Sequence, residues 1–364
     1  MDVTNRRRFV ALIHHLEVGG AEKMMVTILN HFVKEGFDVH LIIFNNSGAL
    51  REELSQEIVV HNLGIASVMR GMPRCLKTLY TLKPNTVFAG IGHLNIALAP
   101  SLFIIKKLLK NSRWIARETN IVSLQNQASK YPKLFDWLYK TSYSNYDVIV
   151  AQSEDMKNDL VKNYSISTKI EVINNPIDIE KIEQLSKKDG DYSFDKSKIN
   201  LLTVAGLRRE KRHDLMLQAI ALLPSNYSLT IVGLGEMEES LKRLAKELKI
   251  EHRIHFEGYQ SNPYSYMATA DLFLLTSERE GFPNVLIEAN TLGLPIVAFS
   301  CLGGIEEIIE EGVNGFFVPF NNIEMFAKKI EESAFYGFDR EKIKLKTIKK
   351  YNKKTILKRY KEIL

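Results

Sequence analysis

Short apolar runs recur along the chain, and most are followed by a longer stretch whose apolar residues recur at helical spacing. Phe9 to Ile13 form the first run. The pair Gly19 and Gly20 predicts a turn, 21–34 a helix closed by Gly36, and 39–44 the next strand. Residues 87–89, 114–116 and 147–151 continue the series, and 172–178 read as a short strand with a turn. The polar run Lys187, Lys188, Asp189, Gly190, Asp191 then reads as a linker. A second series starts afresh: strands at 199–204, 229–232, 253–256, 272–276 and 295–299, helices at 214–223 and 237–248, and a turn with a last strand over 312–318. Strands alternating with helices imply parallel crossovers. The expected class is therefore α/β, with two doubly wound, Rossmann-like domains and a ligand cleft between them.

Length supports that division, because 364 residues are long for a single core. Two cysteines, Cys75 and Cys301, give no disulfide framework or metal cluster and fit a reducing compartment. Neither Phe9 to Ile13 nor the interrupted apolar window 91–105 reaches the roughly 20 residues of a spanning helix. A cytoplasmic protein, peripheral on the inner membrane face at most, is expected. The net charge of +6 is unevenly placed. No Asp or Glu occurs from Ile58 to Arg117, while Leu98 to Arg113 is both apolar and basic. That pattern fits a surface for anionic lipid over 98–113; it equally fits a buried helix with lysines at its solvated end. The basic tail carries apolar residues at Ile348, Tyr351, Ile356, Leu357 and Tyr360, so it reads as an amphipathic helix and not as a nucleic-acid-binding arm.

The chemistry concentrates over 277–290. Glu280 and Glu288 flank the turn Gly281, Phe282, Pro283, Asn284, between a strand and a helix. Free N–H groups at such a helix start bind phosphate, and a carboxylate on each side can hold sugar hydroxyls. Gly233 and Gly235 form another strand-to-helix turn where backbone can approach a nucleotide; a plain tight turn is the bland alternative. Arg208, Arg209, Lys211 and Arg212 cluster beyond the strand at 199–204, where a cation could neutralise a departing diphosphate. Asp189, Gly190 and Asp191 look like a metal-holding acidic triplet, but with no strand delivering them they read as a solvated turn. No metal-ligand spacing occurs among the nine histidines.

These residues carry a resemblance. Glu210-Lys211, the run 231–235, Phe256 to Tyr259, the run 280–289, Gly293 to Val297 and Gly303 to Ile309 together resemble the retaining glycosyltransferases of family 4, or group 1, which have the GT-B fold. The first half matches through Gly19 to Glu22 and Asn174 to Asp178. The resemblance implies an N-terminal acceptor-side domain over 1–180, a nucleotide-sugar-binding domain over 181–345, and a C-terminal helix, 346–364, that crosses back to the first domain. It implies that Glu288 binds the ribose, that Glu280 contacts the donor sugar, and that backbone groups of Gly281, Phe282, Asn284, Val285 and Leu286 hold sugar and diphosphate. Lys211 would sit on the diphosphate, Gly258 and Tyr259 by the base, and Gly20 on the donor phosphates from the first domain. His93, Arg117, Glu118 and Asn120, at or just after strand ends, are the acceptor-side candidates.

One departure stands out. The family usually carries an arginine five residues before the lysine, and this chain has Gly206 there; Arg208 could supply the charge from a shifted position. The reading is a metal-independent, cofactor-free, retaining hexosyl- or N-acetylhexosaminyltransferase. Its donor would be a nucleotide sugar, a UDP-sugar by preference, and its acceptor a glycan or lipid-linked glycan of cell-surface polysaccharide or lipopolysaccharide. Another GT-B enzyme, either a nucleotide-sugar epimerase or an inverting transferase, and a catalytically silent nucleotide-sugar-binding homologue stay open as alternatives.

Overall fold

A computed structural model describes residues 6–17, 19–188 and 194–364. The triplet Asp189, Gly190, Asp191 lies outside the described residues. The chain divides into two compact units: 1–175 with 354–364, and 176–353.

The first unit contains strands β1 (Arg8–Ile13), β2 (Asp38–Ile43), β3 (Val59–Asn62), β4 (Thr86–Ala89), β5 (Arg113–Arg117), β6 (Val148–Ala151) and β7 (Ile170–Val172). They form one parallel sheet in the order β3-β2-β1-β4-β5-β6-β7. Its helices are α1 (Gly20–Lys34), α2 (Val68–Leu82), α3 (Gly92–Leu98), α4 (Leu102–Leu108), α5 (Val122–Gln127), α6 (Pro132–Ser142) and α7 (Glu154–Tyr164). A sheet covered on both faces buries alternate side chains into two cores. Val10, Leu12, Val87 and Trp114 face α2, α3, α4 and α6, whereas Phe9, Ala11, Ile13 and Phe88 face α1. Gly36, at φ +82°, closes α1 as its position predicts. Pattern reading passed over β3, because Val59 and Asn62 on this edge strand are exposed and the segment lacks a buried apolar run.

The second unit holds α8 (Ile179–Ser186), β8 (Ile199–Val204), α9 (His213–Leu222), β9 (Tyr227–Val232), α10 (Glu238–Glu247), β10 (Ile254–Gly258) and α11 (Tyr264–Thr269). It continues with β11 (Leu272–Leu275), α12 (Asn284–Thr291), β12 (Ile296–Ser300), α13 (Ile305–Ile308), β13 (Gly315–Pro319), α14 (Ile323–Ala334) and α15 (Arg340–Tyr351). Its parallel sheet runs β10-β9-β8-β11-β12-β13. Strand order reverses between β8 and β11, and crevices for ligands form at the carboxyl ends beside such a reversal.

The last helix, α16 (Lys353–Glu362), belongs to the first unit from Lys354 onward. Ile356, Leu357, Tyr360 and Ile363 fill the core around Phe9 and Phe88. The segment 346–364 is thus two helices, interrupted at Asn352. Tail lysines pair within their own units: Lys344 with Glu183, Lys346 with Glu310, Lys353 with Asp178, and Lys361 with Glu35.

Candidate active site

The loops after β8 and β9 lie backbone on backbone. Ala205 donates its N–H to the Val232 carbonyl at 3.0 Å and Leu207 to the Leu234 carbonyl at 2.9 Å. A Cβ added at Gly233 would lie 1.9 Å from the Ala205 carbonyl oxygen, and one at Gly235 would lie 2.3 Å from that of Leu207. The close approach these glycines permit here is therefore of one loop to another, which fixes the path from β8 to Lys211. Gly206 is different. A Cβ there would meet nothing closer than Arg208 Nε at 3.5 Å. The Arg208 side chain thus passes through the space beside Gly206, with its Nε 3.4 Å from Glu210 Oε1 and most of its length exposed.

Lys211 ends a single 3₁₀ turn over Arg209–Lys211, and Arg212 follows at φ +50°. Thr276, past the end of β11, donates its hydroxyl to the Lys211 carbonyl at 3.0 Å, and the Glu278 N–H reaches the Glu210 carbonyl at 2.9 Å. The loops after β8 and β11, on either side of the order reversal, are thereby locked together. Lys211 Nζ then meets Glu280 Oε1 at 2.7 Å, and Ser277 donates to the same oxygen at 2.6 Å. Both side chains of the ion pair are largely buried, at 16% and 10% exposure. Glu280 is fixed from behind as well: its N–H donates to the Leu302 carbonyl at 3.2 Å. Gly303, at φ +125°, could not carry a Cβ, which would sit 2.4 Å from the Glu280 carbonyl oxygen.

Gly281 and Phe282 lead into α12, which begins at Asn284 behind Pro283 and has no side-chain N-cap. Phe282, Leu286, Ile287 and Ala289 are buried, which leaves Asn284, Val285 and Glu288 on the partly open side. Glu288 faces Tyr264 on α11, whose hydroxyl pKa is pushed up by burial and then by the Glu288 charge. Gly258, at φ +65°, ends β10, and Tyr259 beyond it is one of the most exposed aromatics. The Gly258 carbonyl accepts from the Gly233 N–H at 2.7 Å, so the end of β10 is anchored to the β9 turn. His213, buried beside Lys211, is held near pKa 4 by burial and by the Lys211 charge, and stays neutral at pH 7.

In the first unit, Gly20 opens α1 with no atom within 4 Å of an added Cβ. His93 lies at the start of α3, its ring 5.3 Å from that of His14. The protein packed around it, with His14 and His15, pushes its pKa down to about 4 although part of the ring stays open. Asn120 is exposed. Arg117 and Glu118 are buried, and each has internal partners. Arg117 donates to Asn175 Oδ1 at 2.7 Å and to the Tyr360 hydroxyl at 3.2 Å. Glu118 accepts from Tyr143 and Asn95, and burial raises its pKa to about 7. This geometry makes the two residues supports for their surroundings, whereas His93 and Asn120 can meet a ligand directly.

Sequence reasoning assigned no role to Ser277, Thr276, Tyr264 or Gly303, although Ser277 opens the run 277–290 and Gly303 the run 303–309. Ser277 precedes Glu280 by three residues, a spacing that hints at a shared turn, while the contacts of Thr276 and Tyr264 come from elsewhere in the chain. Among the described residues no group of three or more His, Cys, Asp or Glu is placed to hold a metal ion.

Residues 184–350 match the profile described as glycosyl transferases group 1, and 18–181 match glycosyltransferase family 4. A Campylobacter jejuni enzyme named N-acetylgalactosamine-N,N'-diacetylbacillosaminyl-diphospho-undecaprenol 4-alpha-N-acetylgalactosaminyltransferase is 30% identical over 342 residues, 89% of this chain and 87% of that one. The chain belongs to the group 1 glycosyltransferases. Another relative of this glycosyltransferase is the lipopolysaccharide core biosynthesis glycosyltransferase LpsE of Rhizobium meliloti, 25% identical over 89% of this chain and 88% of its own. Two solved structures share the GT-B fold. The Rickettsia africae glycosyltransferase has a TM-score of 0.81 at 20% identity, covering 99% of this chain and 98% of its own. Anabaena HepE, solved in complex with UDP-glucose, has a TM-score of 0.75 at 19% identity, covering 98% of each chain.

Proposed function

We propose that this glycosyltransferase moves a hexose or N-acetylhexosamine from a UDP-sugar to a lipid-linked glycan, with retention at the anomeric carbon. The observation that carries the donor half is the Lys211–Glu280 ion pair, set beside the start of α12 and Glu288 on loops that other contacts hold in place. HepE was solved with UDP-glucose, which supports a UDP donor. The acceptor half is supported by the Campylobacter relative, whose name specifies a diphospho-undecaprenol acceptor, and by LpsE.

In the reaction, the bond from the anomeric carbon to the diphosphate oxygen breaks and a bond to an acceptor hydroxyl oxygen forms. The hydroxyl proton leaves with the diphosphate oxygen on the same face. Charge growing on the diphosphate is met by Lys211, by Arg208 and by the N–H groups at the start of α12. Glu280, its second oxygen uncommitted to Lys211 or Ser277, receives sugar hydroxyls, and Glu288 holds the ribose. These cations take the role that a divalent ion has elsewhere, so transfer should survive EDTA.

Arg208 is the position to test. Loss of one preorganised positive group typically slows a reaction by about 10²–10³-fold. We expect that loss in Arg208→Ala. Because Gly206 has room for a side chain, we expect Gly206→Arg to restore much of it in the double variant, measured as UDP release with acceptor present. A fully active Arg208→Ala would remove Arg208 from the site.

A further inference from the structure

Helices α2, α3, α4 and α6 cover one face of the first sheet around a shared core that includes Met72, Leu98, Ile105 and Tyr139. Helix α4 is central: it packs beside α2, and the turn leading into it packs beside α6. Its inward residues are Leu102 and Ile105. Its outward ones are Phe103 (66% exposed), Ile104 (65%) and Leu108. On α6 and at its start, Tyr131, Leu134 and Trp137 (59% exposed) stand outward at helical spacing. A helix on a soluble domain normally presents polar groups there. Here large apolar and aromatic side chains occupy both outward faces, interleaved with exposed Lys107, Lys110, Lys133 and Lys140. Lys107 Nζ lies 4.3 Å from the centroid of the Phe103 ring.

The charge around this face is one-sided. From 58 to 153 the chain carries twelve Lys and Arg against three acids, Glu118, Asp136 and Asp147. All three acids are engaged internally. Glu118 is buried with Tyr143 and Asn95. Asp136 accepts from Asn126 and Tyr164. Asp147 pairs with Lys106 at 2.5 Å and accepts from the Trp114 N–H. Lys106 is therefore a structural cation, and the free ones are its neighbours.

We propose that α4 and α6 form a docking face for an anionic phospholipid bilayer. Phe103, Ile104, Leu108, Leu134 and Trp137 would enter the boundary between headgroups and acyl chains, with the lysines on the phosphates. Aromatic side chains favour that boundary, and basic residues beside an apolar face add electrostatic attraction. Such binding is peripheral, since among the described residues no helix is long and apolar enough to cross a membrane. The inference does not depend on the donor site.

The chain has two tryptophans, Trp114 fully buried and Trp137 exposed. Trp114 is already shielded from solvent, so a lipid-dependent blue shift in the emission of the full-length protein reports on α6. Adding phosphatidylglycerol–phosphatidylethanolamine vesicles should shift the emission to the blue, salt should reverse the shift, and phosphatidylcholine vesicles should give little. Trp137→Phe should lose the shift yet still float with anionic vesicles. The pairs Phe103→Ser with Leu108→Ser, and Lys107→Glu with Lys110→Glu, should each weaken flotation by roughly ten-fold or more at an unchanged unfolding midpoint. Absence of wild-type binding, or equal binding by both pairs, overturns the proposal. So does a blue shift that follows protein concentration without lipid, which would make the face an interface between proteins.

Discussion

Lys211 and Glu288 meet different parts of the donor in the proposed reaction, so their variants should differ in kind. Lys211→Ala removes a cation from the diphosphate, and kcat/KM should fall by about 10²–10³-fold. Glu288→Gln, on the next helix, should raise KM for the donor by about ten-fold or more and leave kcat less affected, since it weakens a charged hydrogen bond to a part of the donor that does not react. Steady-state kinetics with UDP-glucose or UDP-N-acetylglucosamine would separate the two. Glu280 and Glu288 were legible because the strand, turn and helix that place them are contiguous in sequence. The support from Ser277, Thr276 and Tyr264 was not, because a hydroxyl shows no partner until the fold supplies one. Glu118 gives a separate test. Burial raises its pKa from 4.5 to about 7, so the folded state holds the proton more tightly than the unfolded chain. Its contribution to stability is intact below pH 4.5 and is lost as pH rises to about 7. The unfolding midpoint should decline over that window, and Glu118→Gln should flatten the decline.

At the scale of elements, two glycines that look alike in sequence do different work. Gly233, at φ +145°, has the Ala205 carbonyl 1.9 Å from where a Cβ would go. Gly233→Ala should cost about 3 kcal/mol or more of stability, read by chemical denaturation. Gly20 opens α1 with free space around it. Gly20→Ala should leave stability within about 0.5 kcal/mol or raise it, while raising donor KM if Gly20 meets the donor phosphates. The strands that were legible carry an apolar run, whether central like β8 and β11 or at a sheet edge like β13. Edge strand β3 was not, since register and neighbours define it more than composition. The apolar and basic segment 98–113 supported two readings; its helix puts Leu102 and Ile105 in the core and leaves Phe103 and Ile104 exposed, a split that composition alone could not assign.

Across the whole molecule, the C-terminal segment completes the first unit's core from the far end of the chain. Ile356, Leu357, Tyr360 and Ile363 are buried there, and Tyr360 also accepts from Arg117. Deleting 353–364 should lower stability by roughly 5 kcal/mol or more, at about 1.5–3 kcal/mol per large buried side chain. A basic composition alone could not reveal that role, because the tail's acidic partners, Glu35, Asp178, Glu183 and Glu310, are scattered over the chain. The proposed function stands or falls on transfer from a UDP-sugar to a lipid-linked acceptor through Lys211. Its most direct test is mass spectrometry of undecaprenyl-diphosphate glycans incubated with the protein and a panel of UDP-sugars. One lipid should gain a single hexose or N-acetylhexosamine residue, and Lys211→Ala should slow that gain by about 10²–10³-fold. UDP binding with no lipid gaining a sugar, from any donor, would contradict the proposed function.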